Sequence, residues 1–208
     1  MSFLINSHRF GPPGPSWIID QDFEAANFGS ESSLWTTNGA VDPNYATSPA
    51  PLSGTKSLRL GLGNQSNVIR SFASRDAIFA KFLFRTDNAS SANLRVCGFR
   101  GAGADRAYVF WTAAGRARLN NTVTNNDSAN LFPVNTTVFC WFEWLRNDYV
   151  AFAWNTTDSK PAMTAGGATS CRLSAADLAV DSLRLGWINN VSTLWQLHDD
   201  VRAKGEAF

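Results

Sequence analysis

The sequence predicts an all-β protein, an antiparallel β-sandwich of the jelly-roll type. Short segments in which apolar and polar residues alternate follow one another along the chain, and clusters of turn residues separate them. Ser, Thr and Asn make up about a quarter of the 208 residues, and these residues suit turns and strand surfaces better than helix interiors. No long segment has the helical period of 3.6 residues.

Length and charge narrow the classes of function. A chain of this length can form one domain with a sizeable core. The 18 Lys and Arg residues face 17 Asp and Glu residues, so the formal net charge is only +1. This balance argues against binding to nucleic acid or to an anionic membrane through net charge. No apolar run approaches the roughly 20 residues of a membrane-spanning helix.

The first half of the chain contains a predicted loop followed by four predicted strands. Residues 36–54 are rich in Thr, Asn, Pro and Gly, which favours the loop. In residues 56–62 three leucines alternate with Ser, Arg and Gly, as in a half-buried strand. Residues 77–85 have apolar side chains on both faces, so we expect this strand to be covered on both sides. Residues 93–100 and 107–112 are two further strands joined by a Gly-rich turn.

The second half begins with two predicted hairpins. Residues 116–120 follow a turn at 114–115, and the polar residues 121–130 are predicted to be a loop. Residues 137–145 form the most aromatic strand, and residues 149–154 return beside it as its hairpin partner.

The C-terminal part is predicted to contain the only helix. Residues 155–170 read as a loop, and residues 174–179 as one or two helical turns because they begin with a sequence that resembles a capping box. Strands are expected at 181–188 and 193–201, and the tail 202–208 is expected to fray.

Residues 1–16 are predicted to be an extended arm, and residues 17–208 to be one β-sandwich domain. The stretch Gly-Pro-Pro-Gly-Pro at 11–15 can be neither helix nor central strand, so it serves as a stiff spacer. The arm can then dock into a groove or add a strand to a partner's sheet. The alternative is that it folds back onto its own domain. The candidate partner-binding residues are Phe3, Leu4, Ile5, Arg9 and Phe10.

The three cysteines do not form a metal or redox motif. Cys97, Cys140 and Cys171 are widely spaced, and their odd number excludes a complete disulfide framework within one chain. Cys97 and Cys140 lie in strand-like segments, where a free cysteine acts as a small buried apolar residue. The N-terminus has no basic region and only a short apolar stretch, which argues against a signal peptide and for synthesis in the cytoplasm.

Several short segments are distinctive by their order along the chain. An acidic–aromatic opening is followed by a segment of small residues, an aromatic strand, a Trp-rich hairpin and an acidic closing strand. These segments are Asp22-Phe23-Glu24, Ser53-Gly54-Thr55-Lys56-Ser57-Leu58-Arg59-Leu60, residues 78–84, residues 141–154 and Asp199-Asp200-Val201. Over about residues 17–202 this order resembles the concanavalin A-like lectin/glucanase superfamily in its laminin-G-like form.

The arm has a resemblance of its own. Residues 4–10, with the sequence LINSHRF, are similar to the short N-terminal segment that precedes such domains in virion proteins of tailed bacteriophages. This resemblance implies that the chain is a structural component of a phage particle.

The sequence does not contain a catalytic set. Glucanases of the superfamily use carboxylates at alternate positions of one strand, one as nucleophile and one as acid/base. Glu143 lies in an aromatic strand without an acidic partner on the same face, so we expect it to be a solvent-face or hydrogen-bonded residue. With only two histidines and no recognisable nucleophile, a hydrolytic triad is equally unsupported. We therefore expect the protein not to be an enzyme.

No cofactor is expected, and a structural calcium ion is the one metal considered. Lectin-like sandwiches often bind Ca²⁺ near adjacent carboxylates, and Asp199 and Asp200 are the weak candidates here. Ca²⁺ needs six to eight oxygen ligands, whereas these two side chains would point to opposite sides of a strand. The alternative is that one of them caps a turn or pairs with an arginine.

Tryptophans near Asn-rich loops are the candidates for sugar binding. Exposed rings can stack on the apolar faces of sugars while amides bind the hydroxyl groups. The alternative is that these rings lie in the core or at an interface between proteins, because aromatic residues dominate both. The four candidates are Trp35, Trp111, Trp154 and Trp195.

Together these features predict a non-enzymatic bacteriophage virion protein, assembled in the host cytoplasm. The first hypothesis is a capsid decoration or minor capsid protein that binds and stabilises the major capsid shell. The alternatives are a minor tail or receptor-binding protein with carbohydrate affinity and a bacterial carbohydrate-binding module. The expected partners are the major capsid protein or other virion proteins, a surface glycan and further copies of the chain, for example in a trimer. Nucleic acid and membranes are not expected partners.

Overall fold

The computed structural model describes residues 17–24, 34–38, 41–44, 50–61, 66–87, 94–188 and 195–208. These residues contain fifteen β-strands, and none of them belongs to a helix that could cross a membrane. In chain order the strands are β1 (Ile19–Gln21), β2 (Thr36–Asn38), β3 (Val41–Asn44), β4 (Ser57–Gly61), β5 (Asn67–Arg75), β6 (Ala77–Thr86), β7 (Leu94–Gly101), β8 (Ala104–Trp111), β9 (Arg116–Asn120), β10 (Asn125–Leu131), β11 (Val138–Leu145), β12 (Tyr149–Asn155), β13 (Ser170–Ser174), β14 (Val180–Ile188) and β15 (Trp195–Lys204).

The strands form two sheets that pack face to face. The eight-stranded sheet has the order β13-β12-β11-β6-β15-β4-β3, and β1 pairs with the C-terminal half of β15. The seven-stranded sheet has the order β10-β9-β8-β7-β14-β5-β2. All pairings among the described strands are antiparallel. The predicted all-β sandwich is therefore confirmed, whereas the arm and its spacer lie outside the described residues.

Large apolar side chains fill the space between the two sheets. Phe99 of β7 stacks on Phe142 of β11, with the ring centroids 4.2 Å apart and the ring planes 6° from parallel. This stack joins a central strand of one sheet to a central strand of the other. Trp111 packs against Phe132 at 4.1 Å in the same core. Each buried side chain of this size contributes about 1.5–3 kcal/mol through its removal from water.

Strand β6 is buried on both faces, as its sequence predicts. Ile78, Phe82 and Phe84 face the core. Phe79 and Leu83 point to the other side and are still only 6% and 8% exposed. Further chain segments must therefore cover the outer side of the eight-stranded sheet.

The three cysteines are free and buried. Cys97 and Cys140 belong to the core, which confirms their predicted role as small apolar residues. Burial raises the pKa of both thiols well above the usual value. Burial likewise raises the pKa of Cys171 to about 12. At neutral pH all three are therefore neutral thiols, which are poor nucleophiles.

The prediction of a helix at 174–179 is wrong. These residues leave β13 at Ser174 and reach β14 at Val180 without a helical turn. The side chain of Asp177 does not cap a helix. It instead accepts hydrogen bonds from Arg146 at 2.6 Å and from Asn147 at 2.8 Å, the turn residues of the β11–β12 hairpin.

Two predicted loops contain strands, and the tail is more ordered than predicted. Residues 121–130 include most of β10, which pairs with β9 although its side chains are polar. Residues 36–54 include β2 and β3. Strand β15 continues to Lys204, and Phe208 stacks on Trp17 at 5.9 Å. In each case backbone pairing or a distant contact outweighs the local sequence preference.

Candidate functional site

The seven-stranded sheet presents a row of arginine and aromatic side chains on its outer side. In β8, Ala107, Val109 and Trp111 are buried in the core, whereas Tyr108 and Phe110 between them are partly exposed. Alternation in β9 and β14, and two register shifts in the pairing of β7 with β8, place guanidinium groups beside these rings. We call this surface the arginine–aromatic face, and its members are Arg95, Arg100, Arg106, Tyr108, Phe110, Arg116, Arg118 and Arg184.

Asp105 lies at the centre of this face and binds three of its arginines. Its carboxylate accepts hydrogen bonds from Arg95 at 2.9 Å, Arg100 at 3.2 Å and Arg184 at 3.2 Å. A β-bulge between β7 and β8 at this point turns the Asp105 side chain outward. Burial lowers the pKa of Arg184; Asp105 opposes that shift, and the charges of Arg100 and Arg95 add to it.

Tyr108 forms the aromatic centre of the face. The guanidinium carbon of Arg95 lies 3.9 Å from the centroid of its ring, a close cation–π contact. Gly98 stands opposite Tyr108 in β7. A Cβ atom at Gly98 would lie 3.2 Å from the Cβ atom of Tyr108, which is tighter than ordinary van der Waals contact. Glycine at this position therefore leaves room on the sheet surface beside the Tyr108 ring.

A shallow depression of about 630 Å³ lies at the β9–β10 end of the face. Phe110 and Thr112 line it together with Arg116, Arg118 and Asp127. Arg118 and Asp127 form a bidentate pair with donor–acceptor distances of 2.5 and 2.7 Å, and this hydrogen bonding raises the pKa of Arg118. The depression therefore offers an aromatic ring next to guanidinium groups that are held in place.

A second depression, of about 440 Å³, lies at the β5–β14 end. Its polar lining includes the hydroxyl groups of Thr36, Ser71 and Ser182 and the guanidinium group of Arg100. The two depressions lie on either side of Tyr108, because β9 and β5 are separated by β8, β7 and β14. Four strand spacings amount to about 19 Å, which is long enough for an extended oligomeric ligand.

The carboxylates on this face are all engaged. Asp105 is held by three arginines and Asp127 by Arg118. Asp181 accepts hydrogen bonds from the backbone of Ala102 at 2.9 Å and from the hydroxyl of Ser182 at 3.0 Å. Each carboxylate thus serves to position its neighbours.

The outer side of the eight-stranded sheet is different, and we call it the covered face. Trp141 of β11 and Leu197 of β15 point to this side, yet they are only 2% and 0% exposed. Residues 156–169 reach β6 and β11 there through lysine–carboxylate pairs. Residues 50–56 are bonded to β6 and β15. Two loops therefore close this face.

Glu143 is one of the buried carboxylates of the covered face. It accepts hydrogen bonds from Lys160 at 2.8 Å and from the Tyr149 hydroxyl at 2.9 Å. Burial, followed by the contact with Glu143, raises the pKa of Tyr149 to about 12. Glu143 is thus the hydrogen-bonded residue that the sequence suggests as one alternative, and it anchors the loop that carries Lys160.

The first two segments of the superfamily resemblance meet in space. The Glu24 carboxylate accepts hydrogen bonds from the backbone of Thr55 at 2.9 Å and of Lys56 at 3.1 Å. Burial opposes ionisation of Glu24, but the hydrogen bonds from Thr55 and Lys56 outweigh it, so its pKa is lowered. Gly54 has a φ of 52°, and a Cβ atom there would collide with this carboxylate. The small residues thus allow the turn to wrap around Glu24.

The closing acidic segment of the resemblance, Asp199-Asp200-Val201, is bonded to the same loop. Asp199 accepts hydrogen bonds from the Ser53 backbone at 3.0 Å and the Ser57 hydroxyl at 2.9 Å. Burial raises its pKa to about 7. Asp200 pairs with Arg202 at 3.0 Å. Among the described residues, no group of three or more His, Cys, Asp or Glu side chains is placed to hold a metal ion. The two aspartates therefore follow the alternative, a turn anchor and an arginine pair.

Three of the four tryptophans predicted to bind sugar cannot form an exposed platform. Trp35, Trp111 and Trp154 are 2%, 0% and 7% exposed and belong to the core. Their apolar rings are needed between the sheets, as the alternative interpretation holds. Trp195 is partly exposed, but it lies on the eight-stranded sheet beside Arg85. The partner-binding residues Phe3, Leu4, Ile5, Arg9 and Phe10 lie outside the described residues.

Sequence reasoning missed the residues of the arginine–aromatic face. The available signal was the alternation in β8, where Arg106, Tyr108 and Phe110 occupy every second position opposite Ala and Val. A half-buried strand whose outward residues are aromatic and cationic differs from the usual polar surface strand. The convergence of β7 and β14 on the same spot depends on sheet order and was not visible in the sequence.

Comparisons with known proteins identify the fold only. No protein-family model and no curated protein matches the chain. Among solved structures, a sialidase superposes with a TM-score of 0.65 at 8% identity over 92% of this chain, which spans 19% of the sialidase. The cellulose-induced protein Cip1 gives a TM-score of 0.65 at 11% identity, with 91% of this chain and 98% of Cip1 covered.

A bacteriophage protein is also similar in structure. It is the carbohydrate esterase of the Shiga toxin-encoding phage phi24B, with a TM-score of 0.56 at 16% identity and coverage of 91% of this chain and 98% of that one. Receptor-binding domains of botulinum neurotoxins superpose as well, for example that of type G with a TM-score of 0.53. These likenesses show that the chain has the concanavalin A-like β-sandwich fold.

Proposed function

We propose that this protein is a non-catalytic carbohydrate-binding β-sandwich, and that the arginine–aromatic face is its sugar-binding surface. The observation that carries the proposal is the pair of partly exposed rings, Tyr108 and Phe110, on adjacent outward positions of β8. The ring centroids are 5.8 Å apart, and a depression lies on either side. Such a platform can pack against the apolar faces of successive sugar rings.

The polar groups around the rings suit sugar hydroxyls. Guanidinium groups donate hydrogen bonds in fixed directions, and hydroxyl and amide side chains both donate and accept them. Ser71 and Ser182 supply such groups at one end, and Asn120 and Asn125 bond to each other at the other end, 2.6 Å apart. A concave site with an apolar floor and a few convergent polar groups is the usual form of a ligand pocket.

The engaged carboxylates support a binding role over catalysis. Glycoside hydrolysis needs two carboxyl groups that flank the scissile bond, one of them free to give up a proton. On this face Asp105 and Asp127 are fixed by arginines, and Asp181 is fixed by a backbone N–H group and a hydroxyl. We therefore propose that the protein holds its sugar without cleaving it.

For the biological setting we propose a bacteriophage virion. The support is the phage-like sequence of residues 4–10 and the phage origin of one protein with the same fold and nearly the same extent. Within the virion, a ligand-binding face favours a minor tail or receptor-binding protein.

Capsid decoration remains the second candidate, and the apolar arm favours it because that segment can dock onto a major capsid protein. The copy number in an electron-microscopy map separates them: few copies at the tail tip, or many at capsid symmetry positions.

The binding proposal is tested on an array of neutral and acidic glycans. We expect the purified protein to bind a subset of the array, and Tyr108→Ala and Phe110→Ala to weaken that binding strongly. Phe139→Ala is the matched control, because Phe139 is a partly exposed ring on the covered face. Absence of binding to any glycan, or equal losses in Tyr108→Ala and Phe139→Ala, would refute the proposal.

A further inference from the structure

The arginine–aromatic face concentrates positive charge in a nearly neutral protein. The formal net charge of the chain is +1. Six arginines lie on this face, and three aspartates accompany them. The arginines are Arg95, Arg100, Arg106, Arg116, Arg118 and Arg184, and the aspartates are Asp105, Asp127 and Asp181. Since the whole chain carries almost no net charge, the excess of positive charge is a local property of this face and does not reflect the overall composition.

The surplus is strongest around Asp105. One carboxylate there faces the guanidinium groups of Arg95, Arg100 and Arg184. The side chains of Arg95 and Arg100 are 28% and 21% exposed, so they can reach a ligand, whereas that of Arg184 is only 7% exposed. Burial is the main cause of the lowered pKa of Arg184, and the charges of Arg100 and Arg95 add to it. A second anionic group placed here would relieve the repulsion among these charges.

The guanidinium groups are held in fixed planes before any ligand arrives. The guanidinium carbon of Arg95 lies 3.9 Å from the centroid of the Tyr108 ring, Arg100 also donates to the Gly103 carbonyl, and Arg118 is held by its bidentate pair with Asp127. A fixed guanidinium fork matches the two oxygens of a carboxylate or sulfate group and loses little conformational freedom on binding. Lysine would supply the charge without this geometry.

From this arrangement we propose that the ligand of the face is an acidic polysaccharide, whose carboxylate or sulfate groups bind at Arg95 and Arg100 while its sugar rings pack on Tyr108 and Phe110. The inference rests on the proposed carbohydrate-binding function and specifies its ligand class. The about 19 Å between the β9 and β5 ends of the face fits several sugar units. The exposed Arg116, which lines the depression at the β9–β10 end, then offers a second place for an acidic group.

The test is affinity electrophoresis with matched polymers. Dextran sulfate and dextran share one backbone and differ in charge, and polygalacturonate supplies carboxylates. We expect tight binding to one or both acidic polymers, weak binding to dextran, and an affinity that falls as the salt concentration rises. Arg100→Gln is expected to lower the affinity for the acidic polymer by about tenfold or more, which corresponds to the loss of a charge-assisted hydrogen bond.

Two further variants make the test specific. Arg172→Gln is the matched control, because it removes the same charge from the other sheet. There the guanidinium carbon of Arg172 lies 3.9 Å from the centroid of the Tyr149 ring. Its affinity should stay within about twofold of the original protein. Arg116→Gln removes an exposed charge from the face, so it keeps the test open if Arg100→Gln proves poorly folded in thermal unfolding.

Several outcomes would overturn the inference. Equal losses in Arg172→Gln and Arg100→Gln would mean that net charge alone is responsible. Binding of an oligothymidylate as tight as that of the acidic polymers would indicate a general polyanion or nucleic-acid surface. Tyr108-dependent binding to dextran without preference for the acidic polymers would retain the proposed function and reject the acidic ligand. Binding to none of the polysaccharides would reject both.

Discussion

The two outer faces of the sandwich use the same kinds of residue in different ways. Each has aromatic rings and charges at alternate positions of its central strands. A similar contact even occurs on both sheets, with Arg95 over Tyr108 and Arg172 over Tyr149, each at 3.9 Å. On the covered face two loops bury part of the outward row, including Trp141 and Glu143. On the arginine–aromatic face the row stays partly exposed, so the contacts among its side chains hold surface groups in place.

This contrast separates residues that hold the fold from residues that can serve a ligand. The Tyr149 hydroxyl donates a hydrogen bond to the buried Glu143, which also accepts one from Lys160 of the covering loop. Tyr108 has the equivalent cation–π contact but faces partly exposed neighbours. We therefore expect substitutions on the covered face to change stability, and substitutions on the arginine–aromatic face to change binding.

The largest expected effect is the loss of Trp141. Its side chain is 2% exposed beneath the covering loop, so Trp141→Ala removes a large buried ring and should lower the free energy of unfolding by about 3–5 kcal/mol. Tyr108→Ala on the opposite face should cost only about 1 kcal/mol, the size of one partly exposed cation–π contact. Chemical denaturation monitored by circular dichroism measures both values. Equal costs for the two substitutions would remove the distinction between the faces.

The second expected effect is a pH dependence that arises on the covered face. Burial raises the pKa of Asp199 from 3.8 to about 7. The folded state thus binds this proton more tightly than the unfolded state, and stability is lost as pH rises from about 4 to about 7. Asp199→Asn cannot ionise. The original protein should therefore gain stability relative to the variant on acidification through this range, by up to about 4 kcal/mol.

The neighbouring His198 provides the control of opposite sign. Burial lowers its pKa from 6.5 to about 3, so its contribution to stability is lost as pH falls from about 6.5 to about 3. Relative to His198→Gln, the original protein should lose stability on acidification. Urea denaturation at a series of pH values gives both differences. Parallel pH curves for the original protein and Asp199→Asn would show that Asp199 titrates normally.

Most of the fold could be predicted because alternation is a local signal. Residues 56–62 have a clear period of two, and the strand at 77–85 and the hairpin at 137–154 are short apolar runs that end at turn residues. The structure confirms them as β4, β6 and β11–β12. Strand β10 was predicted to be a loop because its residues are polar. It forms through its backbone pairing with β9. The helix predicted at 174–179 failed because Asp177 binds Arg146 across the sheet edge, a contact that no local pattern contains.

The site was harder to predict than the fold. Trp35, Trp111 and Trp154 were candidates for sugar binding because they lie near Asn-rich loops and their rings can stack on sugars, yet all three belong to the core. The arginines of the arginine–aromatic face are far apart in sequence. Arg95 and Arg184 meet at Asp105 only because β7 and β14 are neighbours in the sheet. Alternation tells which residues point outward, but the order of strands decides which outward residues share a surface.

The smallest expected effect compares one ion pair from each face. Arg118 and Asp127 are 35% and 31% exposed, so a double-mutant cycle with Arg118→Gln and Asp127→Asn should give a coupling energy below about 1 kcal/mol. In the Lys160–Glu143 pair the carboxylate is only 4% exposed. Removing Glu143 would leave the Tyr149 hydroxyl and the lysine without their acceptor, so Glu143→Ala should cost about 1–3 kcal/mol. If the coupling energy of the exposed pair exceeded the cost of Glu143→Ala, the arginine–aromatic face would have to be regarded as part of the scaffold. Its arginines would then no longer be available to a ligand without a loss of stability.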